Sequence, residues 1–240
     1  MKDPASPIYG CDAFWNTFWN LNQLWVLATP DIMNKWVESL LEYYRVGGWL
    51  PNGPPGVEYC DIMGAQHEIP LMVSAYQKRI RNYDVDKAYQ PVKKTLTTQG
   101  TALSSGGIVG NRHLDVYLKY GFVPYGEKSH HNVFGTTYEG PTSNTLEYAF
   151  DDWNAAQFAK ALGYEEDYDY FTRRAYNYKN VFDSETKYVR PKYSDGTWMP
   201  DFEPINKDEH STSWSWLGYG CVEGNSRQYT WMVPHDMNEW

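Results

Sequence analysis

The sequence predicts a mainly α-helical chain, a toroid in which inner and outer helices alternate as hairpins. Apolar residues recur at helical spacing through most segments, and Gly- and Pro-rich runs separate those segments. Helix starts rich in polar and aromatic side chains also alternate with ordinary amphipathic helices. With 240 residues, the chain is long enough to bury a substantial core.

The first half of the chain predicts four helices. Residues 12–28 are aromatic and apolar on nearly every side, which indicates a helix buried on both flanks. An amphipathic helix follows over residues 31–46, with Pro30 in its first turn and a Gly-Gly pair to end it. Residues 49–56 and 99–110 read as loops because of their Gly and Pro content. Between these loops we expect helices over residues 66–80 and 84–98.

The second half repeats this plan. We expect a short helix over residues 111–119, a loop over 121–140, a long helix over 142–162 and its partner over 167–181. A small hairpin over residues 188–204 turns at Ser-Asp-Gly 194–196. A last helix is expected to start near Glu223 and to end before Pro234.

The predicted inner helices start near residues 12, 66, 144 and 223, and the outer ones near 31, 84 and 167. If the inner helices run parallel, their first turns meet at one rim of the ring. The side chains expected at that rim are Asp12, Trp15, His67, Glu68, Glu147, Asp151 and Glu223. Four helix starts that each bring acidic side chains to one rim predict a site.

Composition favours a carbohydrate ligand. Aromatic residues make up 17% of the chain, yet its mean hydropathy is −0.66. Tyr and Trp combine an apolar ring with a polar tip, which suits the apolar face and hydroxyl rim of a sugar. The net charge of −9 argues against nucleic acid, and no apolar run approaches the length of a membrane span. Three scattered cysteines favour neither a disulfide scaffold nor a zinc site.

Several catalytic motifs are absent from the sequence, and catalysis by carboxylate side chains is the interpretation that remains. The chain has no Gly-rich phosphate loop, no Gly-x-Ser-x-Gly and no Cys-x-x-Cys. Glycoside hydrolysis needs one carboxylic acid to protonate the leaving oxygen and one carboxylate on the other face of the sugar. Glu223 is the acid we expect, because Tyr219, Tyr229 and Trp231 flank it and a partly dry pocket would raise its pKa. The alternative is a solvated helix start, where the helix dipole favours a negative charge.

Glu147 and Asp151 lie four residues apart and share one helix face, with Asp152 beside them. Like charges at that spacing destabilise a helix unless a hydroxyl, a cation or an arginine compensates. These residues are therefore expected to contact substrate. The alternative is a first turn in which carboxylates are common anyway.

Several segments carry a family resemblance. They are Gly-Gly-Trp-Leu-Pro at 47–51, His-Glu-Ile-Pro at 67–70, Thr-Leu-Glu-Tyr-Ala-Phe-Asp-Asp-Trp at 145–153, the run at 171–183, Glu-Gly-Asn-Ser-Arg-Gln-Tyr-Thr-Trp at 223–231 and Val-Pro-His-Asp at 233–236. In this order they resemble glycoside hydrolase family 92, the calcium-dependent, inverting, exo-acting α-mannosidases. The likeness extends from about residue 10 to the end of the chain.

The resemblance implies an (α/α)6 catalytic domain, with Glu223 as general acid and terminal α-linked mannose on a glycan as substrate. The expected substrate contacts are Asp12, Trp15, Glu68, Glu147, Asp151, Asp152 and Arg227. Asn225 and Gln228 are the expected neighbours of a calcium ion, which prefers oxygen ligands. Asn16 departs from the family's Trp-Asp-Thr pattern, which leaves the choice of sugar open.

Residues 1–240 are expected to form the first part of that domain. The resemblance places the family's β-sandwich, the second half of the toroid and the general base outside this chain. By itself the chain would then turn over little substrate. A periplasmic or secreted location is also implied, although no signal peptide is visible.

Two alternatives remain. One is a helical-toroid hydrolase or phosphorylase that acts on another glycan, for which Asn16 and the Glu58-Tyr59 loop speak. The other is a non-catalytic sugar-binding helical module, which would keep the aromatic rim without using the proton of Glu223.

Overall fold

The computed structural model describes residues 8–56, 58–60, 64–104, 107–126, 140–205 and 220–238. In these residues the chain forms α1 Leu21–Ala28, α2 Pro30–Gly47, α3 Glu68–Gln77, α4 Val85–Thr97, α5 Leu114–Tyr120, α6 Pro141–Leu162, α7 Glu165–Ala175 and α8 Ser226–Tyr229. Two 3-10 helices cover Thr17–Trp19 and Asn177–Val181. Two antiparallel pairs join β1 Thr101–Ala102 to β2 Ile108–Val109, and β3 Phe182–Asp183 to β4 Tyr188–Val189. The mainly helical prediction is confirmed.

The chain divides into two compact units. Unit 1 comprises Met1–Arg112 and Asn154–Tyr170, and unit 2 comprises His113–Trp153 and Phe171–Trp240. The predicted toroid, with its helix starts meeting at one rim, joins residues of both units and stays a prediction. No helix in the described ranges is both long enough and apolar enough to cross a membrane.

In unit 1, α2 buries one face and exposes the other. Met33, Val37 and Leu40 are fully buried, at helical spacing. Pro30 occupies the first turn, and Gly48 ends the helix with a left-handed φ of 79°. Asp167 accepts hydrogen bonds from the Tyr89 hydroxyl at 2.9 Å and from Lys93 at 2.8 Å, which ties α7 to α4.

The prediction of a helix over residues 12–28 is wrong in its first half, because α1 begins only at Leu21. Asn16 adopts a left-handed φ of 68°, and its backbone N–H donates to His67 Nδ1 at 2.9 Å. A contact 51 residues away in sequence thus overrides the local helical pattern. Burial on both flanks is wrong as well, since Leu27 is 83% exposed.

In unit 2, the first ten residues of α6 are buried on every side, as an inner helix requires. Leu114, Tyr117, Val123 and Tyr148 form a core cluster between α5 and α6. The turn at 194–196 is confirmed, because the Tyr193 N–H donates to Thr197 O at 2.8 Å across it. Most of the predicted loop 121–140 lies outside the described residues.

Candidate functional site

The segment before Glu223 is attached to the start of α6. Gly220 O accepts from the backbone N–H groups of Thr142 at 2.9 Å and Ser143 at 3.2 Å. These N–H groups have no partner within the helix, so a neighbouring carbonyl must satisfy them. The Ser143 hydroxyl in turn donates to Gly140 O at 2.9 Å and accepts from the Val222 N–H at 3.1 Å. Helix α6 therefore fixes the path of the chain up to Val222.

Tyr229, the last residue of α8, holds the same segment from the other side. Its hydroxyl donates to Val222 O at 2.8 Å. Burial raises the pKa of Tyr229 well above its usual range, and the charges of Glu147 and Glu223 raise it further. The charges of both predicted site residues thus act on the Tyr229 hydroxyl.

Glu223 itself is exposed and sits in a left-handed turn with φ of 47°. The predicted last helix is present, but α8 begins at Ser226, so Glu223 precedes the helix and is not its first residue. A non-glycine residue in this conformation costs roughly 1–3 kcal/mol and persists only where its surroundings impose it. Of the three rings expected around Glu223, Tyr229 is buried, Trp231 is 62% exposed and Tyr219 lies outside the described residues.

Asn225 and Gln228 form a capping box at the start of α8. The Asn225 side-chain oxygen accepts from the Gln228 N–H at 3.1 Å, and Gln228 Oε1 accepts from the Asn225 N–H at 3.1 Å. Both oxygens expected to face a calcium ion are therefore engaged by backbone donors. No group of three or more His, Cys, Asp or Glu side chains able to hold a metal occurs in the described ranges. Each amide oxygen keeps a second lone pair, so the calcium contacts of Asn225 and Gln228 stay a prediction. Arg227, between them in sequence, is exposed.

The three acidic residues of α6 have different surroundings. Glu147 is 2% exposed and Asp151 is fully buried. Asp152 is also fully buried, and its carboxylate contacts Arg174 at 2.7 Å and accepts from the Tyr117 hydroxyl at 2.9 Å. Burial raises the pKa of Asp152 to about 7, although Arg174 and Tyr117 oppose the shift. Because protein groups engage Asp152, its place argues for an anchor between α6 and α7 rather than a substrate contact.

Unit 1 holds the remaining predicted site residues. Asp12 is exposed, Trp15 is half-buried, and Glu68 is fully buried as the first residue of α3. Burial raises the pKa of the Cys11 thiol to about 12, with further contributions from the charges of Asp12 and Glu68. The charges of these two carboxylates therefore both act on the Cys11 thiol.

Three structural features of the site escaped sequence reasoning. Ser143 makes two hydrogen bonds to the segment before Glu223, from its N–H to Gly220 O and from the Val222 N–H to its hydroxyl, although the sequence indicated only a helix start there. Arg174 is the cation that compensates Asp152. Cys221 is fully buried, with its Sγ 4.0 Å from Ser226 Oγ, and burial raises the pKa of its thiol to about 12. A Ser beside a helix start and an Arg in a helical period gave only weak signals.

Known proteins match 95% or more of the chain. The family model described as "Glycosyl hydrolase family 92 catalytic domain" matches residues 1–240. A curated relative, an uncharacterized secreted glycosidase of Arthroderma benhamiae, is 26% identical over 256 aligned residues. That match covers 95% of this chain and 32% of the relative.

Solved structures from Bacteroides thetaiotaomicron give a consistent result. A family GH92 inverting mannosidase is 27% identical over 95% of this chain, with a TM-score of 0.79. A family GH92 α-mannosidase in complex with mannoimidazole is 29% identical over 98% of this chain, with a TM-score of 0.80. The chain spans 28% of the length of each of these structures.

Proposed function

Because this chain belongs to glycosyl hydrolase family 92, we propose that it carries the acid-bearing part of an α-mannosidase that removes terminal α-linked mannose from glycans. The observation that carries the proposal is Glu223, an exposed carboxyl on a left-handed turn that hydrogen bonds on both sides of Val222 hold in place. The likeness to α-mannosidases, one of them in complex with mannoimidazole, supports mannose as the sugar.

In this proposal Glu223 donates its proton to the glycosidic oxygen as the bond to the sugar breaks. In the inverting reaction that we propose, a second carboxylate activates a water on the opposite face, and the two carboxyl groups lie roughly 6.5–9.5 Å apart. None of the residues described above is assigned as that base. The proposed substrate contacts are Asp12, Trp15, Glu68, Glu147, Asp151 and Arg227.

A secreted or periplasmic location belongs to the same proposal, supported by the relative described as a secreted glycosidase. The proposed partner is a glycan whose terminal mannose is exposed. Asn225 and Gln228 would offer amide oxygens to a calcium ion, and no step of the proposed reaction relies on that ion.

The test is Glu223→Gln in the natural polypeptide that carries this sequence. We expect kcat for an unactivated α-mannoside to fall about 10²–10⁴-fold, because the amide has no proton to give. A 2,4-dinitrophenyl α-mannoside should be affected far less, since its leaving group departs without protonation. Release of mannose is followed by chromatography, and Glu203→Gln, another exposed glutamate of unit 2, is the matched control.

Unchanged turnover of both substrates by the Glu223→Gln variant would show that Glu223 is not the acid. A wild-type protein that binds mannosides without hydrolysing either substrate would instead be a sugar-binding module. If another glycan alone is hydrolysed, the proposal of mannose fails while the proposal for Glu223 stands.

A further inference from the structure

The peptide groups on both sides of Val222 are held by two side chains from different helices. Ser143 in α6 accepts the Val222 N–H, and Tyr229 in α8 donates to the Val222 carbonyl. We propose that Ser143 and Tyr229 are positioning residues for Glu223, a role that rests on Glu223 being the general acid. They set the direction of the acid through its backbone and do not touch the substrate.

The Ser143 contact is well defined because α6 itself is fixed. Ser143 is 1% exposed, and its hydroxyl uses its proton for Gly140 O at 2.9 Å. That leaves its oxygen free to accept the Val222 N–H. The backbone of the same residue also donates to Gly220 O at 3.2 Å. One residue therefore fixes the chain at two points within three residues of Glu223.

The hydrogen bond from Tyr229 to the Val222 carbonyl should persist at every working pH. Tyr229 is 9% exposed, and its hydroxyl keeps its proton because burial and nearby carboxylates raise its pKa. A protonated phenol donates at every working pH, so the bond to Val222 O does not switch off.

The acid needs this hold because its backbone conformation is an unfavourable one. At φ of 47°, a glutamate would relax to a negative φ if its neighbours allowed it. Such a rotation redirects the side chain by several ångströms, whereas a misplacement of about 1 Å can cost roughly 10²-fold in rate. Loss of these hydrogen bonds should therefore slow proton donation by Glu223 more than it weakens substrate binding.

The test compares Tyr229→Phe with Tyr117→Phe in the natural polypeptide. Both changes delete one buried hydroxyl in unit 2, but Tyr117 bonds to Asp152, which is not linked to Glu223 through these contacts. For Tyr229→Phe we expect kcat on an unactivated α-mannoside to fall about 10–100-fold with KM nearly unchanged. Turnover of 2,4-dinitrophenyl α-mannoside should stay within about twofold, since it needs no proton from the acid.

Ser143→Ala keeps the test decisive if Tyr229→Phe folds poorly. It should show the same dependence on the leaving group, and the double variant should lose little more than the worse single one, because both residues hold one segment. Equal losses on the two substrates, or a Tyr117→Phe variant with the same pattern, would overturn the inference. If Glu223→Gln itself shows no dependence on the leaving group, the proposed function fails first and separately.

Discussion

Asp152 joins α6 to α7 through an ion pair with Arg174. Its place one position after Asp151 predicted a substrate contact, yet its carboxylate is fully buried between Arg174 and Tyr117. Arg174 lies 22 residues away and belongs to α7. A helix face can be derived from sequence spacing, but the partner that crosses to it from another helix cannot.

The Asp152 carboxyl should make stability depend on pH. Its pKa is about 7 in the folded chain and 3.8 as a reference, so the folded state holds its proton longer. Stability from this group is complete below about pH 4 and is lost as pH rises through 7. Between pH 4.5 and 7.5, the urea midpoint of the wild type should therefore fall relative to that of Asp152→Asn. Asp201→Asn, an exposed change, should run parallel to the wild type.

A difference of the opposite sign would mean that the ion pair with Arg174 outweighs burial. That result would contradict the inference that burial is the dominant influence on the pKa of Asp152. Parallel curves for wild type and Asp152→Asn would mean that the two effects cancel.

At the scale of one element, variants of Asn225 test whether this residue only caps α8 or also contacts a metal ion. Asn225→Ala removes the side-chain oxygen that accepts the Gln228 N–H and should cost about 1 kcal/mol of stability. Asn225→Asp keeps that acceptor and should stay close to the wild type. Thermal unfolding with and without calcium measures the stability of each variant and any change in Tm that calcium causes. If Asn225→Ala abolishes a calcium-dependent rise in Tm, the oxygen is a ligand and the assignment as a cap alone is wrong.

The elements that sequence predicted well are those whose ends are set locally. Helix α2 has its Pro and its Gly, and α6 matches the predicted 142–162 to within one residue at its start. Residues 12–20 were predicted as helix because their aromatic content imitates a buried one, whereas the Asn16 bond to His67 determines their path. Long-range hydrogen bonds of this kind cannot be recognised from the spacing of apolar residues in the sequence.

At the scale of the whole molecule, charge limits the partners. With a net charge of −9, the protein should repel a polyanion rather than neutralise its phosphates. In a gel-shift assay at about 50 mM salt, duplex DNA should keep its mobility, whereas a basic control protein should retard it. A salt-sensitive shift by this protein would contradict the assignment of partners from charge.

The overall class was readable from the sequence because helical period and loop composition are repeated many times along the chain. The site was only partly readable. Glu223 stands out by its neighbours in sequence, but its support comes from Ser143, which is 79 residues from Val222. The sequence can therefore predict the catalytic candidate, whereas the distant residues that position it are found only in the structure.

Cys221 gives the acid-bearing segment a natural chemical reporter. Its thiol lies two residues before Glu223, is fully buried and has a pKa near 12, so it is inert to alkylating reagents while the segment stays closed. Cys11 and Cys60 are only half-buried and provide an internal comparison. The rate at which a thiol reagent reaches Cys221 thus counts how often the segment opens, without any engineered label.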